Sequence, residues 1–207
     1  MATPIAYKIV DEFERVIAKY AGSKYAVAVE SCTAALFLSL MYRKTISGLE
    51  LPVCIPKLTY PSVPASIIHA GGKVKFTDET WEGTYDLLPY NIIDGALRFK
   101  RGMFHGGLHC LSFHAKKLLP IGRGGMILTD DENAYKWLLR ARFDGRTQGV
   151  PLDEENFDML GWNVYMTPEQ AARGLQIFDM IKGQTLDDIK SKTQGYPDLS
   201  RFPIYGI

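Results

Sequence analysis

The sequence predicts an α/β layered fold built on a mainly parallel sheet. Two observations carry that prediction. Short apolar runs of strand type alternate with stretches of helical period along the chain, and several of the strands end in an acid or a hydroxyl. A third observation limits the size. A chain of 207 residues supports one sizeable core and is too short for two comfortable domains.

The elements follow in order. Val10, Phe13, Val16, Ile17 and Tyr20 recur at helical spacing, and Gly22 terminates that helix. YAVAVE (25–30) reads as a buried strand, and CTAALFLSLMYR (32–43) as a helix opened by Ser31 and Thr33. LPVCIP (51–56) is a second strand. YPSVPASIIHAGG (60–72) is a short helix opened by prolines and closed by glycines. KVKFTD (73–78) and NIID (91–94) are strands that end in an acid. GLHCLSF (107–113) and GGMILTD (124–130) form a hairpin-like pair around two lysines. ENAYKWLLRARF (132–143) is a helix behind an aspartate-rich cap, and a polar loop runs from Asp144 to about Asn156. TPEQAARGLQIFDMI (167–181) carries a complete start signal. Thr167 caps it, Pro168 takes the first helical position and Gln170 closes a capping box. The stretch from Gly183 to Ile207 is weakly patterned.

Composition sets bounds on function. A net charge of +1 gives no field for nucleic acid or an anionic membrane. No apolar run reaches the length of a membrane span. The N-terminus has no uninterrupted apolar core of the signal-peptide kind. Cys32, Cys54 and Cys110 are odd in number and far apart, so they read as reduced thiols of a cytoplasmic protein. His105, His109 and His114 have no carboxylate at ligand spacing, so no metal is expected.

Active sites of such sheets collect at strand ends. Ser31, Thr33, Tyr60, Asp94, Ser112 and Lys117 all fall there. A helix N-terminus with small hydroxyls can bind a phosphate. An acid can pair with a protonated ring nitrogen, an aromatic can stack on a flat ring, and a lysine can form a Schiff base. Together these are the needs of pyridoxal 5′-phosphate. Each residue also has an ordinary use: Ser31 and Thr33 as caps, Asp94 as a turn residue, Tyr60 as core, Asn163 as a loop fastener, Lys117 as solvated surface.

Four segments in order resemble the DegT/StrS family of sugar aminotransferases, among the fold-type-I pyridoxal-phosphate enzymes. YAVAVESCTAALFLSL is similar to its strand and phosphate turn, and IPKLTYPSVPASIIHAGGKVKFTD to its Thr-aromatic segment. SFHAKKLLPIGRGGMILTDD resembles its Ser-Phe-His-x-x-Lys block with Gly-x-Gly-Gly. LGWNVYMTPEQAARGLQIF resembles its Gly-Tyr-Asn-x-x-Met…Gln-Ala-Ala segment. In the family spacing the lysine lies five residues after the serine and five before the first glycine, which selects Lys117 over Lys116.

The resemblance implies a three-layer sandwich, a reduced fold-type-I large domain over 1–182, with a C-terminal tail at 183–207 as remnant of a small domain. It implies that Thr33 and the N–H groups around Ala34 hold the cofactor phosphate and that Ser112 adds a hydroxyl. Tyr60 would stack on the pyridine ring and Asp94 would pair with its nitrogen. Lys117 would carry the Schiff base and move the proton. Asn163 would reach the phosphate of a partner subunit in a homodimer with composite sites. The helix around Leu175, Phe178 and Ile181 and the tail aromatics Tyr196, Phe202 and Tyr205 are candidate dimer contacts. The implied substrates are a nucleotide-linked keto-sugar and an amino donor, glutamate. Cys32 stands where the family has glycine, Leu97 where it has Gln or His, and Tyr165 where it has Arg. Between Tyr85 and Ile93 only a few residues replace a helix, a strand and a helix of the family. The implied member is a shortened one, of a size that suits a compact viral genome. The alternative reading is a chain that binds the cofactor or serves as an interaction module without turnover. A dehydratase is a third, against which the retained Lys117 counts, since family dehydratases tend to carry histidine there.

Overall fold

A computed structural model describes residues 5–184 and 195–206. The stretch 185–194 of the expected tail lies outside the described residues.

Among the described residues there are seven strands: β1 (Tyr25–Val29), β2 (Val53–Pro56), β3 (Val74–Thr77), β4 (Tyr85–Leu87), β5 (Ile92–Asp94), β6 (Leu108–Ser112) and β7 (Gly125–Thr129). Five of them make one sheet in the order β1-β7-β6-β5-β4, while β2 and β3 pair in parallel. An antiparallel bridge between Cys54 and Leu88 brings the two sheets side by side, with β2 next to β4. Strands β1, β2, β3, β5 and β6 run one way, and β4 and β7 run against them.

Helices cover both faces. On one side lie α2 (Cys32–Ser47), α3 (Ser62–His69) and α4 (Glu132–Ala141), packed on Val27, Val29, Cys110 and Ile127. On the other lie α1 (Lys8–Ala21) and α5 (Pro168–Ile181), packed on Ala26, Ala28, Leu111, Met126 and Leu128. The alternation within β1 and β7 is the two-residue period of a strand buried on both faces. Phe13 and Ile17 of α1 are fully buried, each worth roughly 1.5–3 kcal/mol. Arg142, the C-cap of α4, donates to Ala28 O (2.7 Å) and to buried Glu14 of α1, fastening both helix layers to β1.

The predicted elements recur, with ends shifted by a few residues, and α2 runs four residues past its expected end. At α5, Thr167 caps the helix and the capping box with Gln170 is complete. Strand β4 is the element the sequence did not announce. Three residues carry no readable period, and β4 forms because β2 and β5 both present unpaired edges to it. Phe178 packs edge-on against Tyr20 at 5.0 Å, and Leu175 and Ile181 join the same core. These three residues, expected at a dimer contact, are instead the inward face of α5 on α1. The tail comes back over the same molecule. Leu199 N donates to Lys57 O (3.0 Å), and Tyr205 packs on Phe76.

Candidate active site

A cavity of about 400 Å³ opens at the sheet end where α2 begins. Its wall contains Ser31, Thr33, Tyr60, Asp94, Ser112 and Lys117. The six strand-end residues singled out from the sequence therefore meet in one place.

The start of α2 forms the floor. Ser31 is its N-cap, and its hydroxyl accepts from Ala34 N at 3.1 Å. That bond occupies the Ala34 N–H, so the first-turn N–H groups of Cys32 and Thr33 are the ones left for an anion. Thr33 donates its hydroxyl to Ser62 at 3.0 Å, which ties α2 to α3. Gly125 explains why the first turn of α2 can lie so close to β7. A Cβ there would stand 2.3 Å from the Ser31 carbonyl carbon and 2.5 Å from Cys32 N. Of the three glycines in this loop it is Gly125 that makes room for backbone, that of the first turn of α2.

Lys117 is presented by a tight loop between β6 and β7. Phe113 N donates to Gly124 O (2.9 Å), Ala115 N to Gly122 O (3.0 Å) and Lys117 N to His114 O (2.9 Å). His114 also lines the cavity, and its Nδ1 accepts from Lys116 N at 3.2 Å. Lys116 is exposed and Lys117 half-buried. Burial pushes the Lys117 amine below the ordinary lysine range, and the charge of Asp94 pulls it partly back.

Asp94 closes β5 and is 6% exposed. Burial raises its carboxyl above the usual range. Ala96 N, donating to Oδ1 at 2.9 Å, opposes that, as do the Tyr85 hydroxyl on Oδ2 at 2.8 Å and the charge of Lys117. The Cys32 thiol is pushed well up by burial and by Asp94, which keeps it protonated. Tyr60 at the mouth is 62% exposed, so its ring face is open to a ligand.

Asn163 is not brought into this cavity; its amide donates to Asp144 Oδ2 at 3.0 Å. Thr59, Trp81 and Arg123 are among the lining residues that the sequence did not single out, and the tail's Tyr196, expected at a dimer contact, lines the cavity as well. Tyr196 lies 6.0 Å from the Trp81 ring, so it faces its own chain's cavity, not a neighbour. Tyr85 was also missed, and alternation in a three-residue strand is too brief to signal it. Leu97 lines the cavity as an apolar group. Among the described residues no three His, Cys, Asp or Glu side chains gather at metal-ligand distance.

The sequence profile of the DegT/DnrJ/EryC1/StrS aminotransferase family matches residues 3–92 and 100–190. The chain belongs to this family. The spore coat polysaccharide biosynthesis protein SpsC of Bacillus subtilis is 31% identical over 167 residues, which is 59% of this chain and 42% of that protein. A GDP-perosamine synthase of Caulobacter vibrioides is 26% identical across 84% of this chain and 57% of its own length. This chain thus spans about two fifths to three fifths of the curated relatives it matches. Among solved structures, the sugar aminotransferase CalS13 of Micromonospora echinospora superposes with a TM-score of 0.72 at 18% identity, over 84% of this chain and 61% of that one. AtS13 of Actinomadura melliaura gives 0.71 at 20% identity, over 89% and 67%. At these identities the likeness speaks for the fold, which is the DegT-family large-domain sandwich. The donor set of the cavity fits the pyridoxal phosphate that the family resemblance implies. A helix N-terminus opens on the cavity and could receive a phosphate, a buried carboxylate with two donors could accept from a ring N–H, and a half-buried amine lines the same cavity.

Proposed function

We propose that this chain is a pyridoxal-phosphate-dependent aminotransferase that passes an amino group from glutamate to a nucleotide-linked keto-sugar, as a homodimer with composite sites. The observation that carries the reading is the half-buried Lys117 amine in one cavity with Asp94 and the N-terminus of α2. When bound, the cofactor supplies an aldehyde that takes up the amino group and a ring that spreads the charge of a broken C–H bond.

The chain's residues do the rest. Thr33, Ser112 and the first-turn N–H groups of α2 bind the phosphate. Tyr60 would support the ring by stacking. Asp94 accepts a hydrogen bond from the ring nitrogen and keeps the proton there. Lys117 would be the amine that holds the cofactor's aldehyde carbon. Its lowered basicity raises the neutral, nucleophilic share near neutral pH, and the same nitrogen takes and returns a proton during transfer. Asn163, which is outside its own chain's cavity, serves the partner subunit's phosphate. In this reading residues 1–182 are the cofactor-binding domain and 183–207 are what remains of the small domain. The keto-sugar reading is supported by the names of relatives, including the GDP-perosamine synthases.

The test is the half-reaction. Purified protein carrying the cofactor is mixed with glutamate and no acceptor. One equivalent of 2-oxoglutarate per bound cofactor is expected. Leu97, apolar where the family has Gln or His, favours the alternative of binding without turnover. No keto acid from glutamate, and no deamination of glutamine or amino sugars, in a protein that holds the cofactor would decide for that alternative.

A further inference from the structure

Tyr85 and Asp94 are direct cross-strand partners in the antiparallel pair β4–β5, so their side chains share a face. The Tyr85 hydroxyl donates to Asp94 Oδ2 at 2.8 Å. An ionised carboxylate only accepts, so the single phenolic proton is committed to Asp94. Thr59 Oγ1 lies 2.5 Å from the same phenol oxygen and must therefore be the donor to it. The result is a one-way line, Thr59 to Tyr85 to Asp94, whose members are 1%, 4% and 6% exposed. It joins the loop after β2 to β4 and β5.

We propose that Tyr85, its own proton directed by Thr59, is a positioning residue that holds Asp94 ionised and turned toward the cavity. The chemical purpose rests on the aminotransferase reading, while the hydrogen-bond line does not. A carboxyl in a dry site becomes neutral unless donors stabilise its charge. Among the described residues Asp94 has two such donors, Ala96 N on Oδ1 and Tyr85 on Oδ2. With Ala96 alone, the carboxylate would have one tether and could rotate. A neutral or turned Asp94 could not keep a ring nitrogen protonated. The other groups that face Asp94 are Lys117 beyond β6, Cys32 at the start of α2, Cys110 on β6 and Tyr196 of the tail. Burial raises both thiols and Tyr196, so they are uncharged near neutral pH, and Lys117 is the charged neighbour. The contact arises from the short β4–β5 hairpin.

The experiment uses the full chain without added cofactor. Aspartate labelled with ¹³C at the carboxyl is incorporated, and the Asp94 signal is identified by its loss in Asp94→Asn. Its titration is then followed by NMR. Tyr85→Phe keeps the ring and its contact with Trp81 at 4.7 Å, removing only the hydroxyl. The Asp94 midpoint should rise by about one pH unit, a tenfold change in acidity. Thr59→Val should raise it less, and Thr59→Ser should restore the wild-type value. An unchanged midpoint in folded Tyr85→Phe overturns the proposal. If that variant does not fold, Thr59→Val decides in the same way: a rise supports it and no change overturns it. Should Asp94 shift as expected in a chain that binds no pyridoxal phosphate, the functional reading fails and the positioning role stands.

Discussion

Asn163 Nδ2 donates to Asp144 Oδ2 at 3.0 Å, so the asparagine belongs to the turn after α4 and not to the cavity of its own chain. Asp144 is one of two non-glycine residues with positive φ (58°) among the described residues, and its N–H donates to Trp162 O at 3.2 Å. That fixed turn holds Asn163 at the surface. If it completes a partner's site, inactive chains should rescue each other. Co-expressed Lys117→Ala and Asn163→Ala chains should recover about a quarter of wild-type activity, since half the dimers are mixed and each has one intact site. No recovery from a sample shown to contain mixed dimers would refute the composite site.

The two lysines differ in burial, and that difference predicts a difference in chemistry. Incubation with pyridoxal phosphate followed by borohydride should place the adduct on Lys117, as read by peptide mass. Lys117→Ala should abolish it and Lys116→Ala should not. Because burial lowers the Lys117 amine, labelling should persist at pH values where an ordinary lysine is nearly all protonated. Equal labelling of both lysines would reduce Lys117 to a surface amine.

Gly125 faces backbone at under 2.6 Å from a would-be Cβ, and backbone cannot swing aside as a side chain can. Gly125→Ala should cost roughly 1–3 kcal/mol of stability and move the first turn of α2. Cofactor affinity should fall at least tenfold, measured by titration at a temperature where the variant is folded. Gly122, which has open space around its would-be Cβ but a φ of 105°, should show strain without this loss of affinity.

His109 is wholly buried on β6, and neither ring nitrogen has a hydrogen-bond partner among the described residues. Burial, with smaller effects from His105 and Arg98, lowers its pKa from 6.5 to about 3. The unfolded chain therefore binds a proton that the folded chain refuses over this interval. Its stabilising effect is complete above about pH 6.5 and fades as the pH falls toward 3. Between pH 7 and pH 4.5 the loss from this group is about 2–3 kcal/mol. Thermal unfolding of His109→Leu should fall less steeply over that range than the wild type. Parallel curves would show that His109 does not titrate as a buried neutral ring.

The sequence carried the site further than it carried the sheet. Lys117 was selected over Lys116 by counting from Ser112 and Gly122, and the loop that presents it is held by backbone hydrogen bonds that depend on local order. The cap at Ser31 and the capping box at Thr167 were also legible, because capping is a contact between residues three apart. Strand β4 was not legible, because it is defined by pairing with β5 and a bridge to β2, some thirty residues upstream. Tyr196 was placed on a neighbour because the weakly patterned tail says nothing of where it returns, and it lines the cavity.

The sequence by itself determined the alternation of elements, the caps and the family motif around Lys117. Each of these is written in periodicity or in spacings of a few residues, and short-range sterics and hydrogen bonding enforce them without help from the rest of the chain. Only the tertiary structure decided that Leu175, Phe178 and Ile181 face α1, that the tail closes the cavity over Trp81, and that Thr59, Tyr85 and Asp94 form a line. The physical reason is that an apolar stripe specifies burial without naming its partner, and a tyrosine hydroxyl specifies a hydrogen bond without naming its acceptor. Those partners are chosen when the sheet closes and each strand edge takes the register that the neighbouring strands leave open.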